Sequence, residues 1–85
     1  MNWEVLVANA AKKRLRRFPK RDAEQILSAV EQFAVSPYSG DIEKMEGEKD
    51  TWRRRVGAYR VFYEVYQSKR LVYVYDIRRR TSKTY

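Results

Sequence analysis

Residues 2–7, NWEVLV, set Trp and Val among alternating polar positions, which is the period of a short strand. From Ala8 the period changes. Ala8, Ala11, Leu15 and Phe18 recur at steps of three and four, which predicts an amphipathic helix through ANAAKKRLRRF. Lys12, Lys13, Arg14, Arg16 and Arg17 then lie on or beside its wet face. Pro19 stops that helix, because its ring fixes φ and removes a backbone donor. A second helix follows, in which Ala23, Ile26, Leu27, Val30, Phe33 and Ala34 form a wider apolar stripe ending near Ser36 and Pro37. Joined by so short a link, the helices should form an antiparallel hairpin.

The stretch SPYSGDIEKMEGEKD, 36–50, is rich in turn formers and acids and reads as a loop, with room for one helical turn around Ile42 to Met45. Three strand patterns come next: TWRRRV at 51–56, YRVFYEVY at 59–66 and RLVYVYDI at 70–77. The short turns Gly57-Ala58 and Gln67-Ser68-Lys69 link them into an antiparallel meander. The expected fold is therefore α+β with element order β-α-α-β-β-β: an antiparallel sheet with the N-terminal helical hairpin packed on one face and the other face open.

Strand parity decides what the open face holds, since neighbours in a strand point to opposite sides. Burying Trp52 and Val56 turns Arg53 and Arg55 outward and leaves Arg54 on the helix side, near an edge where its charge can escape. Burying Tyr59, Val61, Tyr63 and Val65 turns out Arg60, Phe62 and Glu64. Arg60 could pair with Asp76 or Glu64, and Tyr73 and Tyr75 read as packing residues ahead of base-stacking platforms. With the arginines of 78–80 leaving the last strand nearby, guanidinium groups gather where they can grip phosphates bidentately.

Charge strengthens this picture because of its distribution. Of the net +8, residues 1–50 contribute nothing, with nine basic against nine acidic side chains. Residues 51–85 hold all of it, with ten Lys and Arg against Glu64 and Asp76. A polyanion is the simplest partner for such a half, and nucleic acid suits interleaved Arg and aromatic positions better than a membrane does.

Size and composition narrow the chemistry. The 85 residues make one domain, 1–85, and a chain of that length buries only about 60% of the surface its unfolded form exposes. The chain contains neither cysteine nor histidine, which removes disulfides, thiolate ligands, a cysteine nucleophile and a histidine base. No metal site and no cofactor are expected from the scattered carboxylates. The N-terminal apolar run is too short for a signal or spanning segment, so the reading is a soluble, cytoplasmic protein with no membrane partner.

The element order, the run EGEKDTWRRRVGAYRVFYEV, the strand RLVYVYDI and a basic end closing on tyrosine resemble the RelE/ParE superfamily of toxins from type II toxin–antitoxin systems. The most specific part is W-R-x-R-V-G-x-Y-R-V-x-Y-E, and the likeness covers nearly the whole chain. It implies a cognate acidic antitoxin as partner, and either of two activities. RelE-like members are ribosome-dependent mRNA endoribonucleases; ParE-like members bind DNA gyrase without cutting RNA. Matched to the RelE-like pattern, Arg53 and Arg55 stand for the basic pair of the first meander strand, Arg60 for the arginine after Tyr, Arg79 for the arginine after the last strand and Tyr85 for the terminal tyrosine.

The implied chemistry is metal-free attack by the substrate 2′-hydroxyl. Arg60 and Arg79 would stabilise the phosphorane, Arg53 and Arg55 would position the backbone or assist proton transfer, and Tyr85 would serve as base or stacking residue. Arg54, Arg78, Arg80 and Lys83 are the further expected RNA contacts. The run of three arginines departs from the family pattern, so that Arg78 or Arg80 could take the role given to Arg79.

Overall fold

The computed structural model of the chain describes residues 3–47 and 50–80. Strand β1 (Glu4–Val7) leads into helix α1 (Asn9–Arg17), and helix α2 (Lys20–Gln32) follows after Phe18 and Pro19. Pro19 is the N-cap of α2, where its missing N–H costs no intrahelical bond. The last turn of α1 carries Arg14, Arg16 and Arg17 and the first turn of α2 carries Asp22, both favourable to the helix dipoles.

Beyond α2 lie β2 (Ile42–Lys44), β3 (Thr51–Val56), β4 (Tyr59–Tyr66), a 3-10 turn (Gln67–Lys69) and β5 (Leu71–Arg79). The helical turn expected at Ile42 to Met45 is instead a strand. β2 pairs antiparallel with β3, matching Ile42 to Arg54, Glu43 to Arg53 and Lys44 to Trp52. Opposite charges facing each other across a ladder stabilise such a pairing, a cause that local propensity does not contain.

The sheet order is β1-β5-β4-β3-β2. β3, β4 and β5 form the expected antiparallel meander, while β1 lies parallel to β5, so the sheet is mixed. No hairpin joins β1 to β5, and the long path through both helices permits the parallel direction.

The helices cover one face. Ala11, Ile26, Val30 and Phe33 meet Tyr59, Val61, Tyr63 and Val65 of β4 and Val72, Val74 and Ile77 of β5 in the buried core. β4 alternates buried and half-buried positions up to Glu64 and Val65 before ending exposed at Tyr66, as a strand with one packed face must. Each such apolar side chain contributes roughly 1.5–3 kcal/mol on burial. Phe33 packs on Tyr63 with ring centroids 4.2 Å apart, and Phe18 on Tyr59 at 4.5 Å. The Tyr63 hydroxyl donates to the Pro37 carbonyl at 2.6 Å, so its polar end is satisfied where burial drives its pKa upward.

One irregularity sets the geometry of the C-terminal arginines. Across β4 and β5, Phe62 faces Asp76 but Tyr63 faces Val74, which leaves Tyr75 as an extra residue in a β-bulge. Unbroken alternation from Val72 and Val74 would turn Asp76 and Arg78 inward and Ile77 and Arg79 outward. The bulge reverses this: Ile77 is fully buried, and Arg78 sits opposite Arg60.

Candidate functional site

The register of β3, β4 and β5 sets side chains in rows across the open face. Arg55 faces Arg60, and Arg60 faces Arg78. In the next row Arg53 faces Phe62, and Phe62 faces Asp76. Directly opposed like charges destabilise a sheet, so a row of three arginines costs stability unless neighbours offset it.

The offset comes from three carboxylates. Arg53 donates to Glu43 Oε1 through Nε at 3.0 Å and Nη2 at 2.6 Å. Arg55 Nε lies 3.4 Å from Asp41 Oδ2, and its backbone N–H donates to the Asp41 carbonyl at 2.9 Å. Asp76 Oδ2 accepts from Arg78 Nε at 2.7 Å; its Oδ1 accepts from the Ile77 N–H at 2.9 Å and forms an ion pair with Arg14, whose Nε lies 3.0 Å away. Arg60, in the middle of the row, has no carboxylate within ion-pair distance among the described residues. Asp76 and Glu64 are both engaged elsewhere, Glu64 as the acceptor for the Tyr66 hydroxyl. Arg60, Phe62, Arg78, Arg79 and Arg80 line a cleft of about 430 Å³, and Asp41, Glu43, Arg53, Arg55 and Arg60 line a smaller one beside it.

Electrostatics follows these contacts. The hydrogen bond and charge of Arg53 hold the Glu43 carboxyl below the usual glutamate range, with weaker contributions from Arg60 and Arg55. The perturbed tyrosines move the other way. Tyr59 is raised by its hydrogen bond to Asp22, Tyr66 by its hydrogen bond to Glu64, and Tyr63 and Tyr75 chiefly by burial. These phenols keep their protons at neutral pH and are poor bases. No group of three or more carboxylates among the described residues is placed to hold a metal ion.

Of the residues singled out from the sequence, Arg53, Arg55, Arg60 and Arg78 come together on the open face. Arg79 does not join their row. It lies opposite Tyr59, with its guanidinium 5.9 Å from that ring's centroid on the helix side, and it also lines the larger cleft. Arg80 lines the same cleft and donates its backbone N–H to the Ala58 carbonyl at 2.6 Å. Arg54 lies on the packed side, away from the arginine row. Among the described residues its Nε and Nη1 are buried without a hydrogen-bond partner, while the residue as a whole is half-buried. A Cβ at Gly40, where φ is +92°, would fall 2.6 Å from Arg54 Cζ, so glycine lets the loop close over the guanidinium. Lys83 and Tyr85 lie outside the described residues.

Solved structures of the same shape are toxins and toxin–antitoxin complexes. A chain of the archaeal RelE–RelB complex from Pyrococcus horikoshii OT3 matches with TM-score 0.86 and 25% identity, over 98% of this chain and 100% of that one. The isolated E. coli RelE toxin matches with TM-score 0.81 and 20% identity, over 95% of this chain and 87% of that one. The YoeB/ParE toxin from Agrobacterium tumefaciens matches with TM-score 0.74 and 20% identity, over 92% and 99%. No curated protein sequence matches. Residues 5–83 match the family described as ParE toxin of type II toxin-antitoxin system, parDE. The chain belongs to the RelE/ParE superfamily of type II toxins.

In this RelE/ParE toxin the arginines are held by carboxylate contacts that sequence reasoning left out. Asp41 and Glu43 were hidden because their segment reads as a loop. Asp76 was named as a partner for Arg60, but its pairing with Arg14 was hidden because the bulge and the packing of α1 beside β5, both tertiary features, bring the two into contact. The one available signal was the run of arginines at 53–55 itself, which calls for nearby carboxylates if it is to fold.

Proposed function

We propose that this toxin is a ribosome-dependent mRNA endoribonuclease. The observation that carries the reading is Arg60, a guanidinium without a carboxylate partner among the described residues, at the centre of an in-register arginine row and facing a cleft lined also by Arg78, Arg79 and Arg80. Such a group is preorganised to receive a phosphate, and it loses no internal ion pair in doing so.

In the proposed reaction the substrate 2′-oxygen attacks the adjacent phosphorus in line and gives up its proton. The bond from phosphorus to the 5′-oxygen then breaks, leaving a 2′,3′-cyclic phosphate, and the departing 5′-oxygen takes up a proton to become a 5′-hydroxyl. Arg60 and Arg78 meet the equatorial oxygens, while Arg53 and Arg55 position the backbone. Arg79 and Arg80 supply charge at the rim. Tyr85 takes the base or stacking role on the strength of the family resemblance alone, because the shifted tyrosines of the described fold hold their protons too firmly. The ribosome's part is to orient the message, since positioning can supply much of the barrier reduction. The proposed partner that restrains the toxin is an acidic antitoxin covering the arginine face.

A second reading, gyrase inhibition by binding, is favoured by the family match to ParE toxins. Primer extension on ribosome-bound mRNA, run beside a gyrase supercoiling assay, separates the two. Cut message with unaffected supercoiling is the expected result; intact message with inhibited supercoiling selects the alternative.

A further inference from the structure

We propose that a nucleobase subsite adjoins the arginine row, in which one unpaired base stacks on Phe62 and Tyr75. The inference rests on the phosphate-binding reading of the row and adds where the base goes. Tyr75 is the bulge residue without a partner in the β4–β5 register, and its ring stands beside that of Phe62 on the open face, centroids 6.2 Å apart and planes at 38°. Both rings are only half-buried. Packing alone gives no reason for such a pair on the sheet face turned away from the core.

The second observation is how the clefts meet. Met45, Phe62, Tyr75, Asp76 and Arg78 line a space of about 190 Å³, and Phe62 and Arg78 are also walls of the cationic cleft of about 430 Å³. A cavity of roughly 150 Å³ takes a benzene ring, so the smaller space has room for one heterocycle. A nucleotide joins a flat apolar ring to an anion across a single sugar, which matches an aromatic cleft sharing two walls with an arginine cleft. A paired base hides both its faces in the stack, so the fit is to single-stranded nucleic acid. Asp76 faces the same space. Its Oδ1 accepts from the Ile77 N–H and is ion-paired with Arg14, and among the described residues Oδ2 accepts from Arg78 alone, which leaves one acceptor position for an N–H on the edge of the base.

The test is binding of a short 2′-O-methyl oligoribonucleotide, which cannot be cut through its 2′-oxygen, against an abasic oligonucleotide of equal length. Fluorescence anisotropy is read for the wild-type chain, Phe62→Leu, Tyr75→Leu, Phe62→Tyr and Arg60→Ala, each first shown to unfold cooperatively in urea. The leucine variants keep an apolar side chain and remove the stacking face. They are expected to lose roughly fivefold to a hundredfold in affinity for the base-bearing strand and nothing for the abasic one. Phe62→Tyr should bind like wild type, and Arg60→Ala should weaken both strands. Equal wild-type binding of the two strands, absence of binding, or leucine variants that bind like wild type would overturn the subsite. If Arg60→Ala binds both strands unchanged while the leucine variants lose the base-bearing one, the phosphate reading falls and the stacking subsite stands.

Discussion

Glu43 shows what a single residue contributes to the cleft. Its carboxylate is exposed yet bonded twice by Arg53, and that bond, followed by the charge of Arg53, lowers its pKa in the folded state. The contribution of the pair to stability is therefore complete at neutral pH, above the range in which an unfolded glutamate titrates. It is lost as the pH falls through the depressed value. In an NMR titration the Glu43 carboxyl should change state below the ordinary glutamate range, and Arg53→Ala should return it to that range; an unshifted Glu43 in the wild-type protein would contradict the pairing. Arg60 makes the complementary point. Parity alone assigned it to the open face, because the alternation of 59–65 is unambiguous, but its lack of a carboxylate partner among the described residues depends on where Asp76 and Glu64 turn. The surroundings of Arg79 and Arg54 were not legible for the same reason: they are set by a bulge and a loop that no local pattern contains.

At the scale of elements, the β3–β4 hairpin sets the arginine row. Gly57 has φ +57° at the first central position of its two-residue turn, and Val56 faces Tyr59 across the hairpin end. A β-branched residue there carries the left-handed penalty of roughly 1–2 kcal/mol. Gly57→Val should lower the urea midpoint accordingly and weaken RNA binding as well, since Arg55 and Arg60 pair immediately beyond the turn; unchanged stability would show that the turn tolerates another conformation. The elements were legible where one period ran long enough to dominate. The two helices and the meander strands meet that condition. β2 did not, because it is three residues of mixed polarity held by its partner's charges, and the parallel placement of β1 was invisible because direction is a property of the pair.

On the scale of the whole molecule, helices cover one face of the sheet and arginines cross the other, so that Arg53, Arg55, Arg60 and Arg78 are gathered on the face away from the core. Binding of a single strand there should weaken with salt. Each neutralised phosphate contributes about −0.7 to the slope of log K against log salt, so engagement of Arg53, Arg55, Arg60 and Arg78 corresponds to a slope of about −3. Anisotropy across a KCl series should give that slope for wild type and one shallower by about 0.7 for Arg60→Ala; a flat response would remove the electrostatic basis of the site. The central claim is that this face cuts RNA, and its most direct measurement is the mapping of mRNA 5′ ends on translating ribosomes given purified toxin or Arg60→Ala. The expected result is new 5′-hydroxyl ends with wild type and ~10²–10³-fold slower cutting with the variant. Message left intact by the wild-type toxin, or cut equally fast by Arg60→Ala, would contradict it.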